Sequence, residues 1–199
     1  MTEGTLFVIT GPSGAGKGTV LSRTMERVHG LHISVSVTTR RPRQGEEHGV
    51  HYYFAEKEEF EDLIARDMLL EYAEYVGNYY GTPAEAVAEK LAEGKDVILE
   101  IETQGAMQIK RRCSGAKLVF IMPPSFEELE KRLRGRGTET DDVIFRRMRT
   151  AREECRRIDE FDYLVINDDA DIAADELRSI IVAARCLTER RAPEFTNIF

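Results

Sequence analysis

Near the start of the chain, Gly11-Pro12-Ser13-Gly14-Ala15-Gly16-Lys17 satisfies the G-x-x-x-x-G-K pattern of a phosphate loop, and it stands between a short apolar run and a helical stretch, as that pattern requires. Glycines let the backbone curl until successive N–H groups point at one anion. The helix N-terminus adds positive potential, and Lys17 has the length to reach β- and γ-phosphates. The next position, where the pattern carries Ser or Thr for Mg²⁺, is Gly18, followed by Thr19. Direct ligation of a metal by residue 18 is therefore excluded, and Thr19 reads as an α-phosphate contact. A dinucleotide fingerprint fails, because Thr19 occupies the place of its third glycine.

A second group of cations follows. Ser34, Ser36, Thr38 and Thr39 precede Arg40, Arg41 and Arg43, and guanidinium forks match phosphate oxygens bidentately, so this stretch reads as a second anion site. Glu100 and Glu102, two residues apart, are expected on one face at the carboxyl end of a strand, there to orient the waters of Mg²⁺ or a second substrate; two solvated carboxylates are the plain alternative. Arg132, Arg134 and Arg136, interleaved with Gly135 and Gly137, predict a mobile cationic segment before a long charged helix. His29, His32, His48 and His51 read as surface or structural residues.

The elements that position these groups alternate. Thr5–Thr10 is a buried strand, a helix runs from about Gly16 to Val28, and Asp96–Ile101, Lys117–Ile121 and Tyr163–Ile166 are further buried strands, which implies a parallel sheet wrapped by helices. Thr82-Pro83-Ala84-Glu85 and Ser125-Phe126-Glu127-Glu128 read as capping boxes, and Asp171 as the cap of a last helix toward Arg190. Between the first helix and Thr82, strand-like Ile33–Val37 and Leu69–Val76 flank a short amphipathic helix carrying Phe60, Leu63 and Ile64. Residues 34–84 are therefore expected to form a small inserted lobe.

At 199 residues there is room for one core with inserted lobes rather than two independent domains. The 28 Lys and Arg against 36 Asp and Glu give −8, so an anionic ligand must be met by local pockets and non-specific nucleic-acid binding is not expected. No run approaches the ~18 apolar residues of a membrane span and no leader pattern opens the chain, which predicts a cytoplasmic protein. Cys113, Cys155 and Cys186 fit neither a disulfide framework nor a metal site and are expected to be reduced, with Cys155 and Cys186 as small buried or half-buried apolar residues.

The ordered set Gly11 to Thr19, Ser36-Val37-Thr38-Thr39-Arg40, Pro42-Arg43, Gly45-Glu46, Tyr52-Tyr53-Phe54, Glu71, Gly77-Asn78-Tyr79-Tyr80-Gly81, Leu99-Glu100-Ile101-Glu102, Gln104-Gly105, Pro123-Pro124, Arg136-Gly137-Thr138 and Ile166-Asn167-Asp168 resembles the guanylate kinases nearly end to end. The resemblance implies an α/β fold: a P-loop NTPase-type parallel sheet flanked by helices, with a core of 1–33 and 85–199, a GMP-binding lobe of 34–84 and a helical lid at about 130–150. It also implies the reaction ATP + GMP ⇌ ADP + GDP, with dGMP as a further acceptor. Lys17 and the backbone of Gly14 to Thr19 would hold ATP phosphates, Arg136 and Arg147 would close over them, and Asn167 would lie near adenine. Arg40, Arg43, Tyr52 and Tyr80 would hold the GMP phosphate. Ser36, Glu71 and Thr82 would read guanine, with Glu102 nearby. Lys17, Arg40, Arg136 and Arg147 would be the catalytic cations. Mg²⁺ would arrive with ATP and touch the protein only through water, at Glu100.

Two departures mark the chain: Glu100 and Glu102 stand where aspartates are common, and Thr82 replaces a serine. Because GMP arrives with its phosphate largely deprotonated, transfer needs alignment and charge neutralisation rather than a general base. Two alternatives stay open. One is a kinase for another nucleoside monophosphate, against which Glu71 argues because it suits the N1–H and N2–H₂ donors of guanine. The other is a non-catalytic phosphopeptide-binding relative, against which the intact loop and Lys17 argue. The expected partners are ATP and GMP, with neither nucleic acid nor membrane; monomer or homo-oligomer is left open.

Overall fold

A computed structural model describes residues 3–75, 77–135 and 140–195, the side chains of 193–195 excepted. The chain divides into two compact units, Met1–Val8 with His32–Ala116 and Ile9–Leu31 with Lys117–Phe199.

The strands are β1 (Leu6–Thr10), β2 (Leu31–Ile33), β3 (Val37–Thr38), β4 (Tyr53–Phe54), β5 (Leu69–Tyr75), β6 (Asn78–Pro83), β7 (Asp96–Glu100), β8 (Lys117–Met122) and β9 (Tyr163–Ile166). They form a five-stranded sheet in the order β2-β7-β1-β8-β9 and a four-stranded sheet in the order β4-β3-β6-β5. In the first, Phe7–Ile9, Val97–Leu99 and Val119–Ile121 are fully buried, the unbroken apolar runs of a sheet covered on both faces. β8 and β9 pair in parallel. β9 is the edge, which is why Leu164 and Ile166 are exposed there while Val165 is buried.

In the first unit the second sheet is mixed. β3 pairs with β4 in parallel and with β6 antiparallel, and β5 and β6 form a hairpin whose register sets Glu71 opposite Thr82. Its small core is Val37, Phe60 and Leu69, with Leu63, Ile64 and Tyr79 packed against it, so the apolar face of helix α2 (Lys57–Ala65) covers this sheet as its periodicity predicts. The strand-like stretch 33–37 is split. Ser34 N–H still bonds to Ile98 in the first sheet, whereas Val37 has moved to the second.

In the second unit, α1 (Lys17–Arg27) packs on α7 (Ala170–Arg185), tied by Arg23 and Arg27 to Asp171. Helices α5 (Phe126–Gly135) and α6 (Asp141–Cys155) share a core of Leu129, Leu133, Ile144, Met148 and Ala151. The remaining helices are α3 (Ala84–Ala92), α4 (Thr103–Arg112) and α8 (Thr188–Phe195).

Four local expectations are corrected. Thr82 does not cap α3. Strand β6 continues to Pro83, which is the cap residue, and the Thr82 hydroxyl is taken by Glu71. The helix from Ala170 is capped by Asp169, whose carboxylate accepts from the N–H groups of Asp171 and Ile172, because an Asx side chain reaches donors two and three residues on; this helix ends at Arg185, and α8 is separate. Ser125 does cap α5, accepting from Glu128 N–H, but the Glu128 carboxylate pairs with Arg132 instead of closing a box. Cys186 is exposed at the end of α7 rather than buried.

Candidate nucleotide-binding site

The phosphate loop lies within the second unit. It leaves the buried strand β1 and opens α1, with Gly16 as the cap residue in the left-handed region at φ 86°. Lys17 folds back on the loop, its Nζ donating to the Gly11 carbonyl at 2.6 Å and to that of Pro12 at 3.3 Å. The crest of the loop is braced from outside. Asn167 is buried, and its Nδ2 donates to the Ala15 carbonyl at 2.6 Å. A β-carbon at Gly16 would collide with that amide, so glycine here serves close approach as well as the positive φ.

Among the described arginines of the expected lid segment, one reaches the loop. Arg147, on α6, donates from Nη1 to Ser13 Oγ at 3.2 Å. Arg132 and Arg134 do not; they pair with Glu128, and with Glu130 and Asp141. Arg136 lies outside the described residues.

The second cluster lies within the first unit. Arg40 follows β3 and is held on three sides. Its Nη2 donates to both Glu46 carboxylate oxygens, at 2.8 and 2.9 Å, its Nη1 donates to the Arg41 carbonyl, and its guanidinium lies 5.4 Å from the centre of the Tyr52 ring. Tyr52 meets Tyr80 edge to face at 6.1 Å. Hydrogen bonding to Arg40, with a further bond from the Arg43 N–H, pulls the Glu46 carboxyl down to about 2. Burial raises the Tyr52 phenol, to which Tyr80 and Glu100 add and which Arg40 opposes. Arg43 itself is exposed. The neighbouring hydroxyls tie strands together, since Thr38 Oγ1 donates to the Tyr79 carbonyl and Thr39 Oγ1 accepts from Tyr79 N–H. His48 and His51 accept backbone N–H bonds from Phe54 and Glu47 within the same loop.

Glu71 is 4 % exposed, and Thr82 Oγ1 donates to its Oε1 at 2.6 Å. Burial lifts its pKa to about 7, against the lowering effect of the Thr82 hydroxyl, and Glu102 adds to the rise. Ser36 is half-buried just ahead of β3. Glu100 ends β7 and is exposed; Glu102 has left the strand and is the cap residue of α4, so the expected shared strand face is replaced by a strand end and a helix start. Three contributors escape sequence reasoning in these roles: Glu46 as the counter-ion of Arg40, Ser13 as the partner of Arg147, and Gly105 beside Glu71. Only Glu46 had a local signal, an acid three residues after Arg43 in a glycine-marked turn.

Each unit thus holds one cationic or donor-rich centre, and one of them has a buried carboxylate suited to a base with adjacent N–H donors. The sequence matches the guanylate kinase family model over residues 3–184. The chain belongs to the guanylate kinase family. It is 47% identical over 196 residues to a guanylate kinase of Desulfitobacterium hafniense, covering 98% of each chain, and 52% identical over 180 residues to one of Synechococcus sp., covering 90% of this chain and 83% of that one. The crystal structure of a guanylate kinase from Anaplasma phagocytophilum superposes with a TM-score of 0.78 at 32% identity, covering 96% of this chain and 90% of the other. The kinase has an α/β fold with a helix-flanked parallel sheet and a second, mixed sheet. Among its described residues no helix is long and apolar enough to cross a membrane.

Proposed function

We propose that this enzyme, which phosphorylates GMP with ATP to give GDP, takes ATP on the Gly11–Thr19 loop and GMP on a lobe of residues 34–84. The observation that carries the reading is the buried Glu71 carboxylate beside Thr82, with Arg40 on the same unit. Lys17 and Arg147 neutralise the ATP phosphates, joined by Arg136, and Asn167 adds an adenine contact to its brace on the loop. Arg40, Arg43, Tyr52 and Tyr80 hold the GMP phosphate, while Glu71, Thr82 and Ser36 read guanine, with Glu102 close by. The acceptor oxygen is already an anion, so the protein supplies alignment and charge stabilisation for in-line transfer. dGMP is accepted too, because none of these contacts involves the ribose 2′-hydroxyl. The protein works in the cytoplasm.

Mg²⁺ fits as an ion carried by ATP. Apart from its chain neighbours and its own helix backbone, no atom lies within 4 Å of where a Gly18 β-carbon would stand, so that side of the loop is open; ATP phosphates and water would hold the ion there, and the exposed Glu100 would accept from one such water. When bound, the ion neutralises charge on the phosphates.

Glu71 gives the test. Guanine presents N1–H and N2–H₂, and only the carboxylate form accepts from both, because protonation turns one of the two oxygens into a donor; with a pKa of about 7, the free enzyme is roughly nine-tenths protonated there at pH 6. KM for GMP is therefore expected to rise about tenfold per unit as pH falls below 7 and to level off above, while KM for ATP stays flat. The phosphate of GMP, with its second pKa near ~6, titrates in both parent and Glu71→Gln, so the step near 7 should vanish only in the variant. A flat parental KM for GMP between pH 6 and 8 would refute the assignment.

A further inference from the structure

The structure assigns Gly105 as a specificity-determining residue: the β-carbon it lacks leaves the space in which the Glu71 carboxylate is held, an inference that rests on Glu71 reading guanine. Gly105 is the third residue of α4 and is buried. It is not among the glycines with positive φ, so the backbone itself does not demand a glycine here. Space does. A β-carbon at this position would fall on Glu71 Oε2, 2.9 Å from Cδ and 3.3 Å from Ile101 Cδ1. The other carboxylate oxygen, Oε1, is the one that accepts from Thr82. The carboxylate is therefore fixed at both ends, by a hydroxyl on β6 and by the bare backbone of α4.

The helix cannot simply withdraw. Gly105, Gln108 and Arg112 stand at i, i+3 and i+7, on one face of α4. Gln108 accepts from Tyr72 N–H and donates to the Tyr72 carbonyl at 2.7 Å, and Arg112 Nη1 donates to the Leu69 carbonyl at 2.9 Å, so that face is bonded to the backbone of β5 on either side of Glu71. Against a helix held in this way, the movable part is the end of the Glu71 side chain. A methyl group at 105 displaces the carboxylate and leaves the fold in place. It removes no charge and no donor, yet it misplaces the acceptor of two guanine N–H groups.

The test compares the full-length parent with Gly105→Ala and Glu71→Gln, measuring initial rates with GMP and with IMP, which lacks the 2-amino group, together with KM for ATP and Tm. Alanine is the better helix former, so Gly105→Ala should melt no lower than the parent. Its KM for GMP should rise about tenfold or more, as for misplaced hydrogen bonds to a charged group, and its preference for GMP over IMP should narrow. Its KM for ATP should stay within about twofold of the parent's. If Glu71→Gln loses GMP affinity while Gly105→Ala matches the parent, the role of Gly105 is overturned and the guanine reading survives. If Glu71→Gln itself matches the parent, the guanine reading falls and this inference with it. A Gly105→Ala protein that melts well below the parent, or loses ATP as severely as GMP, also contradicts the inference, because the helix and not the carboxylate has then yielded.

Discussion

Lys17→Met is expected to fold as the parent does while kcat for phosphoryl transfer drops by about 10³ or more. The loop glycines persist in this variant, and methionine nearly preserves the length and apolar stem of lysine, so the change is the loss of one point charge. In the structure that charge rests on the Gly11 and Pro12 carbonyls, 2.6 and 3.3 Å away, which shows that the loop itself holds the ammonium group at its mouth. Those carbonyl contacts are modest in water, but an ammonium group moved onto the β- and γ-phosphates acts where charge develops during transfer. Thermal melting and steady-state kinetics separate the two effects. An unchanged Tm with a collapsed kcat is the expected pair; near-parental turnover would remove the phosphate loop from the mechanism.

Arg147→Ala should lower kcat by about 10² or more while changing KM for GMP far less, the pattern of an interaction made in the transition state. Arg147 is placed for this by α6, whose apolar residues Ile144 and Met148 are buried against α5 and leave the arginine half-buried with its Nη1 on Ser13 Oγ. That contact sits on the phosphate loop, so in the proposed reading the guanidinium would exchange a hydroxyl for a phosphate oxygen, the stronger, charge-assisted partner. A surface arginine would behave otherwise. Its removal would shift stability by less than about 0.5 kcal/mol and leave kcat alone. Measuring kcat and both KM values for this single variant decides between them, and an unchanged kcat leaves Lys17 and Arg40 as the cations that support transfer.

The phosphate loop was legible because its information is local: a buried apolar strand, a glycine turn and a helix start lie within about twenty consecutive residues, and no distant partner is needed to recognise them. The parallel sheet was legible for a similar reason, since Phe7–Ile9, Val97–Leu99 and Val119–Ile121 are apolar on both faces of their strands. The base-reading pair was not. Residues 34–84 read as an inserted lobe and Arg40 as part of an anion site, but Glu71 and Thr82 gain meaning only when β5 and β6 pair, and they could be assigned only by likeness to a family. The misread caps have the same origin. Thr82 is a good cap residue in isolation, but cross-strand pairing with Glu71 claims its hydroxyl first, and Asp169 and Asp171 are equivalent as sequence until one of them faces Arg23 and Arg27. Gly105 and Ser13 carry no signal of their own, because an absent β-carbon and a lone hydroxyl acquire a role only from what lies beside them.

Guanine-specific acceptance is tested most directly by initial rates of ADP release, with ATP as donor, across GMP, dGMP, AMP, CMP and UMP. In the proposed reading the buried Glu71 carboxylate would meet two donors in guanine but an unprotonated N1 in adenine, so GMP and dGMP should be turned over at comparable rates while kcat/KM for AMP falls about 10⁴-fold lower. Comparable turnover of AMP and GMP would contradict it.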